Sequence, residues 1–330
     1  MSKALVIGID NYLGNPLHGC VNDAVEIANL MRRNADGSIN MEVDLQVNVA
    51  AATPPSTSSR AYLLSLITDL FRGSRYLSLL YFSGHGYVNN MGGFLVTPGA
   101  REFDEGIKMD EIIQLANASE AMNRVIILDC CFAGALAEGD AATGINICIK
   151  QGVTILAASR KNETAMEAGG HGVFTNLLIQ ALAGGAADIG GYITPGSIYA
   201  YIDQALGETG QRPVFKTNIL RFISLRKVKP QVPDEVLQKL IEYFPAFNQE
   251  HQLNPSYEYT NTESWVQLKT PPYADEENVK KFKALQKLQS AGLVTPVDSP
   301  HMYFAAMEHK TCRLTPLGYH YWRLVKEGKI

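Results

Sequence analysis

Two short stretches carry the residue types that nucleophilic chemistry needs. Tyr81-Phe82-Ser83-Gly84-His85-Gly86 sets an imidazole between glycines, and Leu128-Asp129-Cys130-Cys131-Phe132-Ala133-Gly134 sets two thiols after a carboxylate. Only a thiolate attacks, and free cysteine is mostly thiol at neutral pH, so such a nucleophile needs an imidazole beside it to take the proton. The glycines around His85 let another backbone come close. Backbone N–H groups of Gly86 and of the cysteine itself are the expected donors to a developing oxyanion. Taken singly, each stretch reads equally well as a capped loop or as small cysteines in a core.

What positions these stretches is an alternation of strands and helices. Apolar runs at Ala4–Ile9, Val43–Val49, Tyr76–Phe82, Arg124–Leu128, Val153–Ala157 and Ile219–Leu225 read as strands. Val21–Arg33, Ser58–Arg72, Met109–Ala118, Val173–Ala183 and Ser197–Leu206 have helical apolar spacing. That order predicts an α/β unit with a mostly parallel six-stranded sheet and helices on both faces, and ligands bind beyond the carboxyl ends of such strands. Both stretches sit at strand ends. Neither a dinucleotide fingerprint nor a phosphate-binding loop with its lysine is present.

Composition divides the 330 residues near Arg226. Residues 1–225 hold 25 of 28 glycines, and the rest hold 9 of 15 prolines and both tryptophans. Basic and acidic residues number 15 against 21 in the first part and 14 against 12 in the second. Expected domains are 1–225 and 234–330, joined by a linker over 226–233 whose prolines and basic residues interrupt the apolar pattern. With 46% hydrophobic and 19% charged residues, net charge −4 and five irregularly spaced cysteines, the chain is neither a disordered polyelectrolyte nor a disulfide scaffold. No apolar stretch long enough to span a membrane and no leader peptide is read, so a cytoplasmic protein with reduced thiols is expected.

The pairing of Ser-Gly-His-Gly with Asp-Cys-Cys at two successive strand ends resembles the caspase-like cysteine peptidases, specifically the metacaspase and orthocaspase branch. The resemblance extends to Ala4-Leu-Val-Ile-Gly-Ile-Asp10, Leu17-His-Gly-Cys-Val-Asn-Asp-Ala24, Ala157-Ala-Ser159 and Gly172-Val-Phe-Thr175. It implies a caspase-like fold over 1–225, with His85 and Cys131 as the catalytic pair and Gly86 and Cys131 as oxyanion donors. Cys130 stands where the family often has serine, and Phe132 departs from the usual histidine. The positions matching the metacaspase substrate pocket are Cys20, Asp23, Ser83 and Asp129. Two carboxylates there favour a cation, which implies cleavage after Arg or Lys. Lys150, Arg160, Lys161, Arg226 and Lys227 are then candidate processing sites. The resemblance also implies a thiol protease that is latent until activated, in a setting such as bacterial antiviral defence or programmed cell death. Calcium activates many relatives; here Glu102, Asp104, Glu105, Asp110, Glu111 and Glu138 are irregularly spaced and Met109 replaces an acid, so no cofactor and no metal are expected.

Residues 234–330 read as a helix at Asp234–Phe244, a helix at Glu276–Ala291, strands near Leu293–Val297, Met302–Met307 and Thr311–Leu314, and a helix after Pro316. Helix followed by hairpin resembles a winged-helix α+β module, as do Leu288–Val294 and Leu314–Gly318. His301, His309 and Cys312 lack a fourth ligand and read as hairpin residues. Lys280, Lys283 and Lys287 form a basic stripe, thin support for DNA binding, and the module is expected to dock an activating or inhibiting protein. The partners expected overall are protein substrates and that regulator, with neither DNA nor membrane. The competing expectation is an idle caspase-like platform acting as a DNA-binding or scaffolding regulator.

Overall fold

Leu5 and Ile7 face one side of a sheet while Ala4 and Val6 face the other, and both sides are buried. That two-sided burial is why these strands are continuous apolar runs instead of alternating ones. The structure, a computed structural model, describes residues 1–48, 52–53, 57–89, 92–101, 104–130, 148–158, 167–168, 171–207, 213–219, 221–263 and 270–330. Two units make up the chain, Met1–Lys229 and Pro230–Ile330.

In chain order the first unit holds β1 (Ser2–Gly8), α1 (Cys20–Arg32), β2 (Glu42–Val47), α2 (Ser59–Phe71) and β3 (Leu77–Ser83). A meander follows, β4 (Gly86–Asn89), β5 (Gly92–Arg101) and β6 (Asp104–Lys108), then α3 (Met109–Ala118), β7 (Asn123–Asp129) and β8 (Val153–Ala157). It closes with α4 (Val173–Gln180), β9 (Tyr192–Ile193), α5 (Pro195–Leu206), β10 (Val214–Thr217) and β11 (Arg226–Lys227). The six-stranded sheet runs β10-β8-β7-β3-β1-β2. All pairings are parallel except that of β10 with β8.

One face carries α2 and α3, whose Leu63, Ile67 and Ile112 pack on Leu5 and Ile7. The other carries α1, α4 and α5 through Ile27, Leu178 and Ile198. The helix after β1 and the helix after β3 thus lie on opposite faces, although the two strands are neighbours. Such a switch opens a crevice beyond their carboxyl ends. Gly8 lets α1 close on β1, because a Cβ there would run into the Cys20 carbonyl oxygen.

Beneath the opposite end of the sheet, buried Arg124 ties three segments together. Its guanidinium donates to the carbonyls of Ala116, Ala121, Met122 and Gln151 at 2.6–3.3 Å. Burial pulls its pKa down, yet arginine stays charged at any physiological pH.

Several expectations are corrected. The edge strand is Val214–Thr217, not Ile219–Leu225. Ile223 and Leu225 are buried but Ile219 and Phe222 are exposed, so the segment serves as a covering strap, and the short Val-Phe-Lys-Thr pairs instead. The meander between β3 and α3 was not foreseen; Gly106, at φ +134, lies where a Cβ would meet the Leu95 carbonyl oxygen. The expected linker over 226–233 begins too early. Arg226 and Lys227 pair with Ile193 and Tyr192, and the units divide after Lys229. The Arg226 guanidinium donates to the Arg33 and Leu182 carbonyls, and Lys227 lies 4.5 Å over the Tyr192 ring.

The second unit contains α6 (Asp234–Leu237), α7 (Leu240–Tyr243), β12 (His251–Gln252), α8 (Glu276–Ser290), β13 (Val294–Pro296), α9 (Met302–Met307), β14 (Thr311–Leu314) and α10 (Pro316–Lys326). Its sheet runs β12-β14-β13, antiparallel throughout. The single helix expected over 234–244 is interrupted at Gln238–Lys239. The strand expected at Met302–Met307 is α9: Met and Ala favour helix, and Met302, Ala305 and Ala306 are buried at helical spacing. His301 and His309 therefore flank a helix, not a hairpin tip. Gly318 lets α10 press on the Leu293 carbonyl oxygen, and Trp322 donates its indole N–H to the Phe244 carbonyl at 2.7 Å.

Arg124→Leu leaves four carbonyls without their donor. It is expected to cost about 3 kcal/mol or more, read as a lower urea midpoint at unchanged slope; a shift within error would show that water replaces the guanidinium.

Candidate active site

The crevice is organised by register. Ser83, the last residue of β3, is the partner of Asp129, the last of β7, and Gly8 of β1 is aligned with Ser83 on the other side. His85 follows two residues after Ser83, and Cys131 follows two residues after Asp129. Cys131 lies outside the described residues, as do Arg160, Lys161, Glu102 and Glu138. Gly84 ties the strand ends further by donating its N–H to the Asp129 carbonyl at 3.3 Å.

His85 is fixed on three sides. Its Nε2 lies 2.8 Å from the Asn15 carbonyl oxygen. A carbonyl can only accept, so Nε2 carries a proton, and in the neutral ring Nδ1 is left as the acceptor. The His85 backbone N–H donates to the Tyr12 hydroxyl at 3.1 Å, and that hydroxyl donates to the Val96 carbonyl at 3.3 Å. The two rings lie 4.6 Å apart. Burial pushes the Tyr12 phenol far above its ordinary pKa, so it keeps the proton it donates. Gly84 leaves room for that hydroxyl, since a Cβ would collide with it. A cavity of about 490 Å³ opens beside His85 and Gly86, bounded by Tyr12, Asn15, Tyr87 and Val96.

The second cluster is acidic and buried. Asp23, 1% exposed, projects from the first turn of α1, and Asp129 is 5% exposed. Ser83 Oγ donates to Asp23 Oδ2 at 3.4 Å, as does the N–H of Gly172 at 3.4 Å. Asp129 Oδ2 crowds the same glycine: a Cβ on Gly172 would stand 2.6 Å from it. The two carboxylates therefore converge on one residue. Thr175 Oγ1 donates to Asp129 Oδ2 at 2.6 Å and accepts from the Tyr81 hydroxyl at 2.6 Å. Burial first, and then the charges of Asp129 and Asp23, push the Tyr81 phenol up, which keeps it a donor to this chain.

Cys20 joins the same cluster. Its backbone N–H donates to Asp10 Oδ1 at 2.9 Å, and Val21 N–H to Asp10 Oδ2 at 3.3 Å, so Asp10 anchors the start of α1. Burial, aided by the charges of Asp10, Asp129 and Asp23, pushes the Cys20 thiol up, partly offset by its hydrogen bond with Ser83. Such a thiol stays protonated and inert. Cys130 is buried in the core among Ile126 and Leu128. Cys312 belongs to the second unit, its thiol pushed up to about 12 by burial.

The structure thus brings Cys20, Asp23, Ser83 and Asp129 together and sets His85 on the adjoining turn, with Gly86 opening β4. Lys150 is exposed and held by Asn117, whose side chain accepts from Lys150 N–H and donates to the Cys148 carbonyl. Arg226 and Lys227 are placed in β11, as described above. Asp110 and Glu111 open α3, and Glu111 pairs with Arg60 at 3.3 Å. Among the described residues no three His, Cys, Asp or Glu side chains gather as a metal-holding group, and no helix is long and apolar enough to cross a membrane.

Sequence reasoning missed Tyr12, the Asn15 carbonyl, Asp10 and the Tyr81–Thr175 pair as parts of this site. Thr175 and Gly172 lay within a stretch of the resemblance but without a role, and Asp10 was visible as a carboxylate just past the first strand. Tyr12 carried no signal beyond its position, and a backbone carbonyl has none.

No curated protein matches the chain. Among solved structures it is similar to that of protein GSU0716 from Geobacter sulfurreducens, at 15% identity and a TM-score of 0.49, over 70% of this chain and 98% of that one. The family described as Peptidase_C14, caspase domain, matches residues 1–223, the span that folds into the sheet and carries every residue of the crevice, and the chain belongs to that family.

Proposed function

We propose that the chain is a cysteine endopeptidase that cuts proteins after Arg or Lys, with Cys131 as nucleophile and His85 as its base. The observation that carries this reading is the Ser83–Asp129 register, since it ends two neighbouring strands level with each other, and the histidine and the cysteine each follow by two residues. Three other cysteines suit the task poorly, since Cys20 and Cys312 have thiols pushed up by burial and Cys130 is a core residue; Cys148 is exposed but does not follow the end of β3 or β7.

In the proposed reaction His85 takes the Cys131 proton at Nδ1 while Asn15 holds Nε2–H. The thiolate sulfur adds to the scissile carbonyl carbon, and N–H groups of Gly86 and Cys131 receive the oxyanion. Collapse expels the amine, which leaves with the proton from His85, and water then hydrolyses the thioester with His85 again as base. The side chain before the cut enters beside Asp23 and Asp129. Two buried carboxylates at one glycine repel each other while the pocket is empty, and a guanidinium or ammonium relieves that repulsion. Of the candidate processing sites among the described residues, exposed Lys150 suits cleavage best. Cutting after Arg226 or Lys227 requires β11 to leave β9 first.

The reading is tested with fluorogenic peptides that differ only in the residue before the cut, with and without calcium. Hydrolysis is expected after Arg and Lys and not after Asp, and Cys131→Ala or His85→Ala should lower kcat/KM on the order of 10⁴-fold. Turnover after Asp alone would refute the acidic pocket, and turnover surviving in Cys131→Ala would refute the nucleophile.

Asp23→Asn and Asp129→Asn each remove one pocket charge. Either is expected to reduce kcat/KM for Arg peptides by about 100-fold, mostly through KM; an equal loss in kcat with KM unchanged would assign these residues to chemistry instead.

Tyr12→Phe keeps the ring against His85 but removes both hydroxyl hydrogen bonds. A fall of about tenfold in kcat at constant KM is expected, with an unchanged fraction of active sites when titrated by a thiol-reactive inhibitor. A loss of titratable sites would mark Tyr12 as purely structural.

A further inference from the structure

The lysines of the second unit do not radiate evenly into solvent. Lys280, Lys281, Lys283 and Lys287 line one wall of a cleft of about 500 Å³, and Lys239, between α6 and α7, lines it from the facing side. The same lining includes Ala284 on the α8 side and Val236 and Tyr243 on the facing side. Residues 277, 280, 281, 284 and 287 recur at helical spacing, so they form one stripe of α8, and 236, 239 and 243 do the same across α6 and α7. Ala284 sits at the middle of its stripe, where a small side chain leaves a dent between longer neighbours.

The charge in the cleft is largely uncompensated. Lys280 pairs with Glu276 at 2.7 Å, but among the described residues Lys281, Lys283 and Lys287 make no ion pair. Glu242 and Glu277 are the only carboxylates among the lining residues, against five lysines. A trough between helical ridges, lined by apolar residues and lysines from both sides, has the form that receives an amphipathic helix.

We propose that this cleft docks an acidic amphipathic helix of a partner protein, with one apolar side chain seated over Ala284 between Val236 and Tyr243 and its flanking carboxylates on the lysines. This binding site is separate from the peptidase reading and stands whether or not that reading holds. DNA fits less well. A helix that reads a major groove must project from its domain, whereas these lysines share a concave surface with α6 and α7, and Glu242 and Glu277 would confront phosphates.

The test is fluorescence anisotropy on the full chain with three labelled probes: a helical peptide with leucines on one face flanked by glutamates, a scrambled peptide of the same composition, and a DNA duplex. Preferential, salt-sensitive binding of the helical peptide is expected. The triple variant Lys280→Glu, Lys283→Glu, Lys287→Glu should weaken it about tenfold or more. Ala284→Trp, which fills the dent at constant charge, should do the same, while Lys326→Glu with Lys329→Glu, outside the cleft, should leave it within about twofold. The proposal is overturned if neither peptide binds, if the scrambled peptide binds as well, if Ala284→Trp has no effect, or if the duplex binds more tightly than the helix.

Discussion

The parallel pairing of β3 with β7 is the constraint on which the site depends. Each strand is buried along its whole length, so a slip of one residue would turn every side chain to the opposite face and break both layers of core at once. Register is therefore enforced chiefly by the apolar bulk of the sheet. The ends of the two strands at Ser83 and Asp129 inherit that precision. The proposed pair, His85 and Cys131, each two residues past such an end, would draw its alignment from the strands that precede it.

The buried acids are the costly part of this arrangement. Removing a carboxylate from water is unfavourable by several kcal/mol unless donors replace the lost hydration. Asp129 receives Thr175, which is itself backed by Tyr81, and Asp23 receives Ser83 and the Gly172 N–H. Every one of these donors comes from an element held by the core: β3, α4 or the strand residue just before α4. The scaffold thus supplies donors to each carboxylate separately. The Cys20 thiol, buried against the same charges, is kept neutral and adds no third negative group.

How far this was legible in the sequence follows the range of the interactions involved. The strands before His85 and Asp129 could be read because a parallel strand buried on both faces is an unbroken apolar run, and α3 could be placed at Met109–Ala118 because its apolar spacing is local. The winged-helix expectation for the second unit went further than its residues carry: β13 and β14 do pair, but α9 stands between them. Met302–Met307 was misread as a strand because six apolar residues fit either period, and only burial at Met302, Ala305 and Ala306 separates them. The Ile219–Leu225 segment failed for the opposite reason, since it is apolar enough for a strand yet covers the fold without entering its sheet. Tyr12 and Thr175 stayed hidden because their roles arise from partners 73 and 46 residues away. The Asn15 carbonyl was unreadable in principle.

The way Arg226 is held carries a consequence for the life of the molecule. Its guanidinium is already engaged by the carbonyls of Arg33 and Leu182, and its backbone lies in a ladder with Ile193. Arg124 is likewise surrounded by carbonyls. An acidic pocket competing for these side chains must outbid acceptors that are intramolecular and permanently at hand. On the proposed preference for basic residues, these two arginines become substrates only where the fold around them has opened, so that local damage, and not sequence, marks them for cutting.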